Sequence, residues 1–175
     1  MAFHNLEASA LPVPALFCQC RAAMLAKIYS AAVYGVDAYE VEIEVNVGGG
    51  TPNIIIVGLP DTAVKESRDR VTTAITNSGY RWPRGRTTIN LAPADLRKDA
   101  GGFDLPIAVG MLVATGQVLP EHVVGWAMAG ELALDGSVRS IKGGLSIAMA
   151  AKASGVQQMI VPAANGRGAA VVECI

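Results

Sequence analysis

Between residues 40 and 47 polar and apolar positions alternate without a break. Val41, Ile43, Val45 and Val47 lie on one side, and Glu40, Glu42, Glu44 and Asn46 on the other. A period of two with acids on one face predicts a half-exposed strand of an antiparallel pair. Gly48-Gly49-Gly50 and Pro52 predict the turn that follows, and "NIIIVGL" a strand buried on both faces. The pattern then lengthens to a helical period. Pro60-Asp61 opens a helix to about Asn77, with Val64, Val71 and Ile75 on one side and Lys65, Arg68 and Asp69 on the other, and Gly79 ends it. "RTTINLAP" predicts the next strand. Asp104 reads as the N-cap of an apolar helix that carries Pro106 in its first turn and runs to about Thr115.

In the last third, "GWAMAGELAL" predicts a strand, Asp135-Gly136 a tight turn and "SVRSI" the returning strand. Gly143-Gly144 precede a helix, "LSIAMAAKAS", that ends near Gly155, and "QQMIVP" gives a final strand. Helices and strands alternate, but the acidic strand and the Asp135-Gly136 hairpin require antiparallel pairs. The expected class is α+β (mixed α/β) rather than a doubly wound parallel sheet. This patterning starts at Met24. Residues 1–23 show no clean period and contain two prolines, so they are expected to be a tail, poorly ordered or untranslated if Met24 is the true start. Residues 24–172 form the expected domain.

Composition narrows the function classes. The chain of 175 residues is 51% hydrophobic with a net charge of −1, which suits one globular domain and gives no whole-chain signal for nucleic acid or a membrane surface. Charge is nevertheless unevenly placed. Asp37, Glu40, Glu42 and Glu44 come without a base, whereas Arg81, Arg84, Arg86, Arg97 and Lys98 face one acid, Asp95. These runs are either two differently solvated faces or, for the second, a basic patch that meets an anion. Tyr80 and Trp82 interleave with the arginines and either pack the loop or stack on bases. Cys18, Cys20 and Cys174 have no second pair at zinc spacing and read as free thiols of a reducing compartment. No apolar run approaches the roughly 20 residues of a membrane span, so the expected location is the cytoplasm, with no membrane partner.

Few catalytic sets are available. The glycine triplet lacks the Gly-Lys-Ser/Thr of a phosphate-binding loop, and no such motif follows elsewhere. His4 falls in the tail and His122 follows Pro120-Glu121, with no Gly-x-Ser-x-Gly elbow. A serine–lysine pair needs no histidine, which leaves Ser140 or Ser146 with Lys142 or Lys98, at spacings that single out none of them. The stretch "LRKDAGGFDLPIAVG" is the most site-like. Its two glycines make a sharp turn into the helix capped by Asp104, or they bring a helix N-terminus beside Arg97 and Lys98 to hold an anion.

"RKDAGGFDLPIAVG" and "AGELALDGSVRSIKGGLSIAMAAKASGVQQMIVP" together resemble the proteolytic domain of Lon proteases. "MLAKIYSAAVYGVDAYEVEIEVNVGGGTPNIIIVGLPDTAVKESRDRV" is similar to the start of the ComM/YifB group of Mg-chelatase-like AAA+ ATPases, and the likeness runs from Met24 to about Val172. The resemblance implies the ribosomal-protein-S5 domain-2-like fold. It also implies a degenerate Lon-like site at Lys98, Asp99, Gly101, Gly102, Asp104, Gly143 and Gly144. There the nucleophile's position falls on Gly102, and the base's position on Leu145 or Ser146. Neither the serine–lysine dyad nor a Walker motif is present, so the resemblance implies a non-catalytic domain with no cofactor of its own. ATP and Mg belong to the ATPase module, which this chain does not contain. The partners implied are that AAA+ module, further copies in a hexameric ring, and DNA in branch migration and recombination during natural transformation. A purely structural oligomerisation domain is the alternative, and a residual serine peptidase the remote one.

Overall fold

A computed structural model describes residues 25–58, 60–95, 98 and 101–172. The expected tail, His4, Leu59, Arg97, Asp99 and all three cysteines lie outside the described residues, as do the side chains of Ala63 and Lys65.

The alternating segment becomes β2 (Asp37–Val47), paired antiparallel along its length with β1 (Leu25–Tyr34). Val41, Ile43 and Val45 are fully buried, as their period requires, and the glutamates stay on the opposite face. There Lys27 of β1 meets Glu42 at 2.8 Å and Glu44 at 3.3 Å. β3 (Asn53–Val57), β4 (Arg86–Ala92), β5 (Trp126–Met128) and β8 (Gln158–Ile160) complete a six-stranded sheet in the order β3-β4-β2-β1-β5-β8. β4–β2 and β2–β1 are antiparallel, and β3–β4, β1–β5 and β5–β8 are parallel, which is the mixed sheet expected of the α+β class. β6 (Glu131–Leu132) and β7 (Val138–Arg139) form a separate two-stranded ribbon.

Helix α1 (Thr62–Asn77) starts at the expected Pro60-Asp61, and Asp61 caps it, with the Val64 amide donating to Asp61 Oδ1 at 2.8 Å. Its buried stripe, Val64, Val71, Ala74 and Ile75, packs beside α2 (Asp104–Ala114) on one face of the sheet. Ile28, Ile43, Val45, Ile89, Leu91, Phe103, Ile107 and Met111 join them in the main core. α3 (Gly144–Ala153) covers part of the opposite face through Ile147, which packs with Ala31 and Ala129, and α4 (Ala163–Ala169) leans on α3.

Three expectations are corrected. "NIIIVGL" does not form a strand buried on both faces. β3 is a sheet edge in which Ile54, Ile55 and Ile56 are half-buried and Val57 is 41% exposed. An apolar run alone cannot tell a central strand from an edge whose one covered face is enough to order it. Consistently, the glycine triplet makes no hairpin: it carries the chain past β4, and the Gly48 amide donates to Arg86 O at 2.8 Å. "GWAMAGELAL" is two strands. Gly130 breaks it, since its amide donates to Gly102 O and its carbonyl accepts from the Leu105 amide, both at 2.9 Å, leaving nothing for the sheet. Asp104 is not an N-cap: Phe103 occupies that position without a side-chain bond. The pattern gave no expectation for α4, which is only seven residues long with two glycines, the weakest helix formers after proline.

Candidate functional site

The chain crosses from β4 to α2 through Gly101–Phe103, a single tight helical turn, and that turn forms one wall of a cleft of about 570 Å³. Gly102 and Phe103 face Val33 of β1, Glu131 of β6, and the segment Ser140, Lys142 and Gly143 that leads into α3. Two stretches far apart in sequence, "AGGF" and "KGG", therefore meet at one place. Gly143 starts α3 in the left-handed region, at φ +71°, where a side chain would be strained and would press on Val33. Gly144 sits beneath Asn165, whose amide clips Ile141 from both sides: Oδ1 accepts from the Ile141 amide at 3.0 Å and Nδ2 donates to its carbonyl at 2.8 Å.

Gly102 behaves differently from the expected turn glycine. It lacks positive φ, and a Cβ placed on it meets nothing closer than Ile141 at 3.8 Å. The turn therefore has room for a side chain at that position. With no nucleophilic atom at Gly102, the cleft retains the Ser140 hydroxyl, the exposed Lys142 amine and the Glu131 carboxylate. Ser146 is directed elsewhere, donating to Val36 O at 2.7 Å. Leu145 leaves the cleft altogether for an apolar pocket shared with Met149, Val171 and Val172. His122 lies exposed in the turn Pro120–His122.

Asp104 anchors the turn from beneath. Its side chain is 0% exposed and accepts from Arg70 of α1 at both oxygens, from Nε at 2.9 Å and Nη2 at 3.1 Å, and from the Leu132 amide at 3.1 Å. Burial pushes this carboxyl above the ordinary aspartate range, and the guanidinium and the amide pull it back. These bonds tie α1, α2 and β6 together directly behind the cleft. Arg70 was not recognisable as a site residue from the sequence, since 34 residues separate it from Asp104.

The basic residues divide. Arg81, Arg84 and Arg86 are exposed, and Trp82 between them is half-buried against the core. Gln117 clips this loop, with its Oε1 accepting from the Arg81 amide and its Nε2 donating to the Arg81 carbonyl, both at 2.8 Å. Lys98 does not belong with them. It is 0% exposed, bridges to Pro60, and donates its ammonium to Pro93 O. A buried amine cannot neutralise a phosphate, so the expected basic patch loses this member. The anion reading of the α2 N-terminus is corrected as well, because the Leu105 amide is committed to Gly130 O and Lys98 points inward.

Burial holds the Lys98 ammonium below the ordinary lysine value of 10.5, with the Asp95 charge opposing. The folded chain therefore releases this proton at lower pH than the unfolded chain. The unfavourable contribution is complete below the folded value and is relieved as pH rises toward 10.5. Urea unfolding between neutral pH and 10 is expected to show wild-type stability rising relative to Lys98→Met. Parallel pH profiles for the two proteins would contradict this.

The chain is similar to known proteins. The family described as "Subunit ChlI of Mg-chelatase" matches residues 43–165. An uncharacterized protein YifB of Salmonella typhimurium is 46% identical over 141 residues, covering 81% of this chain and 28% of the relative. The competence protein ComM of Haemophilus influenzae is 43% identical over 148 residues, 85% of this chain and 29% of the relative. An uncharacterized protein of Mycobacterium tuberculosis is 42% identical over 151 residues, 86% and 30%. The chain thus spans less than a third of the length of these relatives.

Proposed function

This chain belongs to the family of subunit ChlI of Mg-chelatase, and from that premise we propose that it is the non-catalytic, Lon-like domain of a ComM/YifB-type AAA+ protein that processes DNA. In this reading the whole protein acts in branch migration and recombination of incoming DNA during natural transformation, and this domain assembles the ring and guides the strand. The word "competence" comes from the Haemophilus influenzae relative and supports the setting. ATP and Mg serve the AAA+ module that lies beyond this chain, and the cytoplasm is the compartment that DNA work requires.

The observation that carries the DNA contact is the exposed pair Arg81 and Arg84, on a loop clamped at its base by Gln117, followed by exposed Arg86 at the start of β4. A fixed loop presents guanidinium groups without having to order them on binding, and guanidinium is suited to phosphate oxygens. Gly102 supports the non-catalytic part, because acyl transfer needs a nucleophile and the cleft offers none at that position.

The test is binding of the 175-residue chain to fluorescent single-stranded and branched DNA at low and moderate salt. Affinity is expected to fall with salt, and Arg84→Glu with Arg86→Glu is expected to weaken binding by about tenfold or more, with a salt slope shallower by about 1.5. Unchanged binding in that variant would end the guiding role. The alternative, a purely structural oligomerisation domain, is favoured by Trp82, which packs into the core instead of standing free to stack.

A further inference from the structure

The cleft beside Gly102 opens onto backbone that the sheet leaves unpaired. β1 turns into β2 through two residues, Gly35 and Val36, so Tyr34 and Asp37 close the turn as a hydrogen-bonded pair. Along an antiparallel ladder such positions alternate. Ala32 and Ser30 therefore also bond to β2, while the amides and carbonyls of Val33, Ala31 and Tyr29 point the other way. On that side Tyr29 meets Ala127 of β5 in parallel register, and there the ladder stops. Its next rung would be the Gly130 amide on the Ala31 carbonyl. That amide donates instead to Gly102 O at 2.9 Å, and the Ala129 amide turns to Ile160 O at 3.0 Å. The segment across the cleft does not replace β5, because Asn165 takes both the amide and the carbonyl of Ile141. Among the described residues no strand covers β1 on this side beyond Tyr29, and Ala31, Val33 and Gly35 line the cleft.

We propose that the cleft binds an apolar peptide segment in extended form, which adds a strand to β1 at Val33. Val33 offers one donor and one acceptor on the same side, a pattern that another backbone completes. A phosphate only accepts, and the Glu131 carboxylate in the same cleft repels it. Ile141 and Ile147 line the cleft as well, so apolar side chains on one face of the added strand lie against them. Gly102 completes the fit. A Cβ there would point toward Ile141 with nothing closer than 3.8 Å, so its lack of a side chain keeps the cleft open across its width. The site uses neither a nucleophile nor the arginine loop, and it stands apart from the DNA contact proposed above.

The test is fluorescence anisotropy of the 175-residue chain with a labelled peptide, Ser-Ala-Val-Leu-Val-Ala-Ser, and with the same peptide N-methylated at its three central residues. Methylation keeps every side chain and removes the donors that would pair with β1. The plain peptide is expected to saturate the chain by about 1 mM, and the methylated one to bind about tenfold or more weakly. Gly102→Leu narrows the cleft without touching β1, and is expected to weaken the plain peptide by about tenfold or more with an unchanged circular dichroism spectrum. No saturation of wild type, equal binding of the two peptides, or a folded Gly102→Leu protein that binds as wild type does would overturn the proposal. Should Gly102→Leu fail to fold, amide exchange of wild type decides: protection at Val33 rises with the plain peptide if a strand is added, and stays constant if none is.

Discussion

Asp104→Ala is expected to destabilise the chain by about 3 kcal/mol or more, the range for removing one partner of a buried ion pair. Three bonds are lost together: both from Arg70 and one from the Leu132 amide. Arg70 retains partial access to water, at 27% side-chain exposure, but the Leu132 amide is left unsatisfied in the interior. The converse change is at least as harmful. Arg70→Met leaves a carboxylate of 0% exposure with a single amide to hold it. Replacing both, as Arg70→Met with Asp104→Leu, is expected to recover part of the loss, since apolar groups of similar volume carry no desolvation penalty. Urea denaturation of the two single variants and the double variant measures this coupling. A loss under about 1 kcal/mol for Asp104→Ala would show that the pair merely decorates the junction. Because the pair also fixes Gly101–Phe103, the single variants are expected to loosen the cleft wall, seen as faster amide exchange around Gly102.

Gly58→Ala is expected to cost about 4 kcal/mol or more, the level reached when backbone strain and overlap coincide. Gly58 follows β3 at φ +95°, and a Cβ there would overlap the Leu91 carbonyl on β4. Backbone cannot swing aside as a side chain can, so the end of the β3–β4 ladder must part. Gly35→Ala provides the control. Its φ of +63° is also left-handed, but nothing lies within 4 Å of the added methyl, so only the conformational term of about 1–2 kcal/mol applies. Equal losses in the two variants would mean that the close approach at Leu91 is not what demands glycine. The Gly58 substitution is also expected to disturb the β3 edge.

Elements with unambiguous periodicity form where the sequence pattern places them. The alternation of β2, the stripe and start of α1, and the glycine pair before α3 are local patterns, and each appears at or near the expected residues. Where pattern and tertiary context compete, pattern failed. Three isoleucines read as a central strand because periodicity records apolar character and not how many faces are covered. Asp104 read as a cap because an acid before an apolar helix ordinarily is one. Its actual partners arrive from α1 and β6.

The candidate site shows the same division. That Gly102 and the Gly143-Gly144 pair belong together was implied by resemblance, and their approach around one cleft was not readable from spacing, since 41 positions of chain separate Gly102 from Gly143. Lys98 stood within a basic run and is buried, because a run of charges along a chain does not record which of them the fold turns inward.

By itself the sequence determined the elements set by short-range physics: which residues alternate, where the apolar stripe of α1 falls, and which side chains the site lacks. Tertiary structure decided which strand became the edge, which lysine lost its solvent and which arginine neutralised Asp104. Those outcomes depend on contacts between residues tens of positions apart, where burial and charge pairing override any local preference.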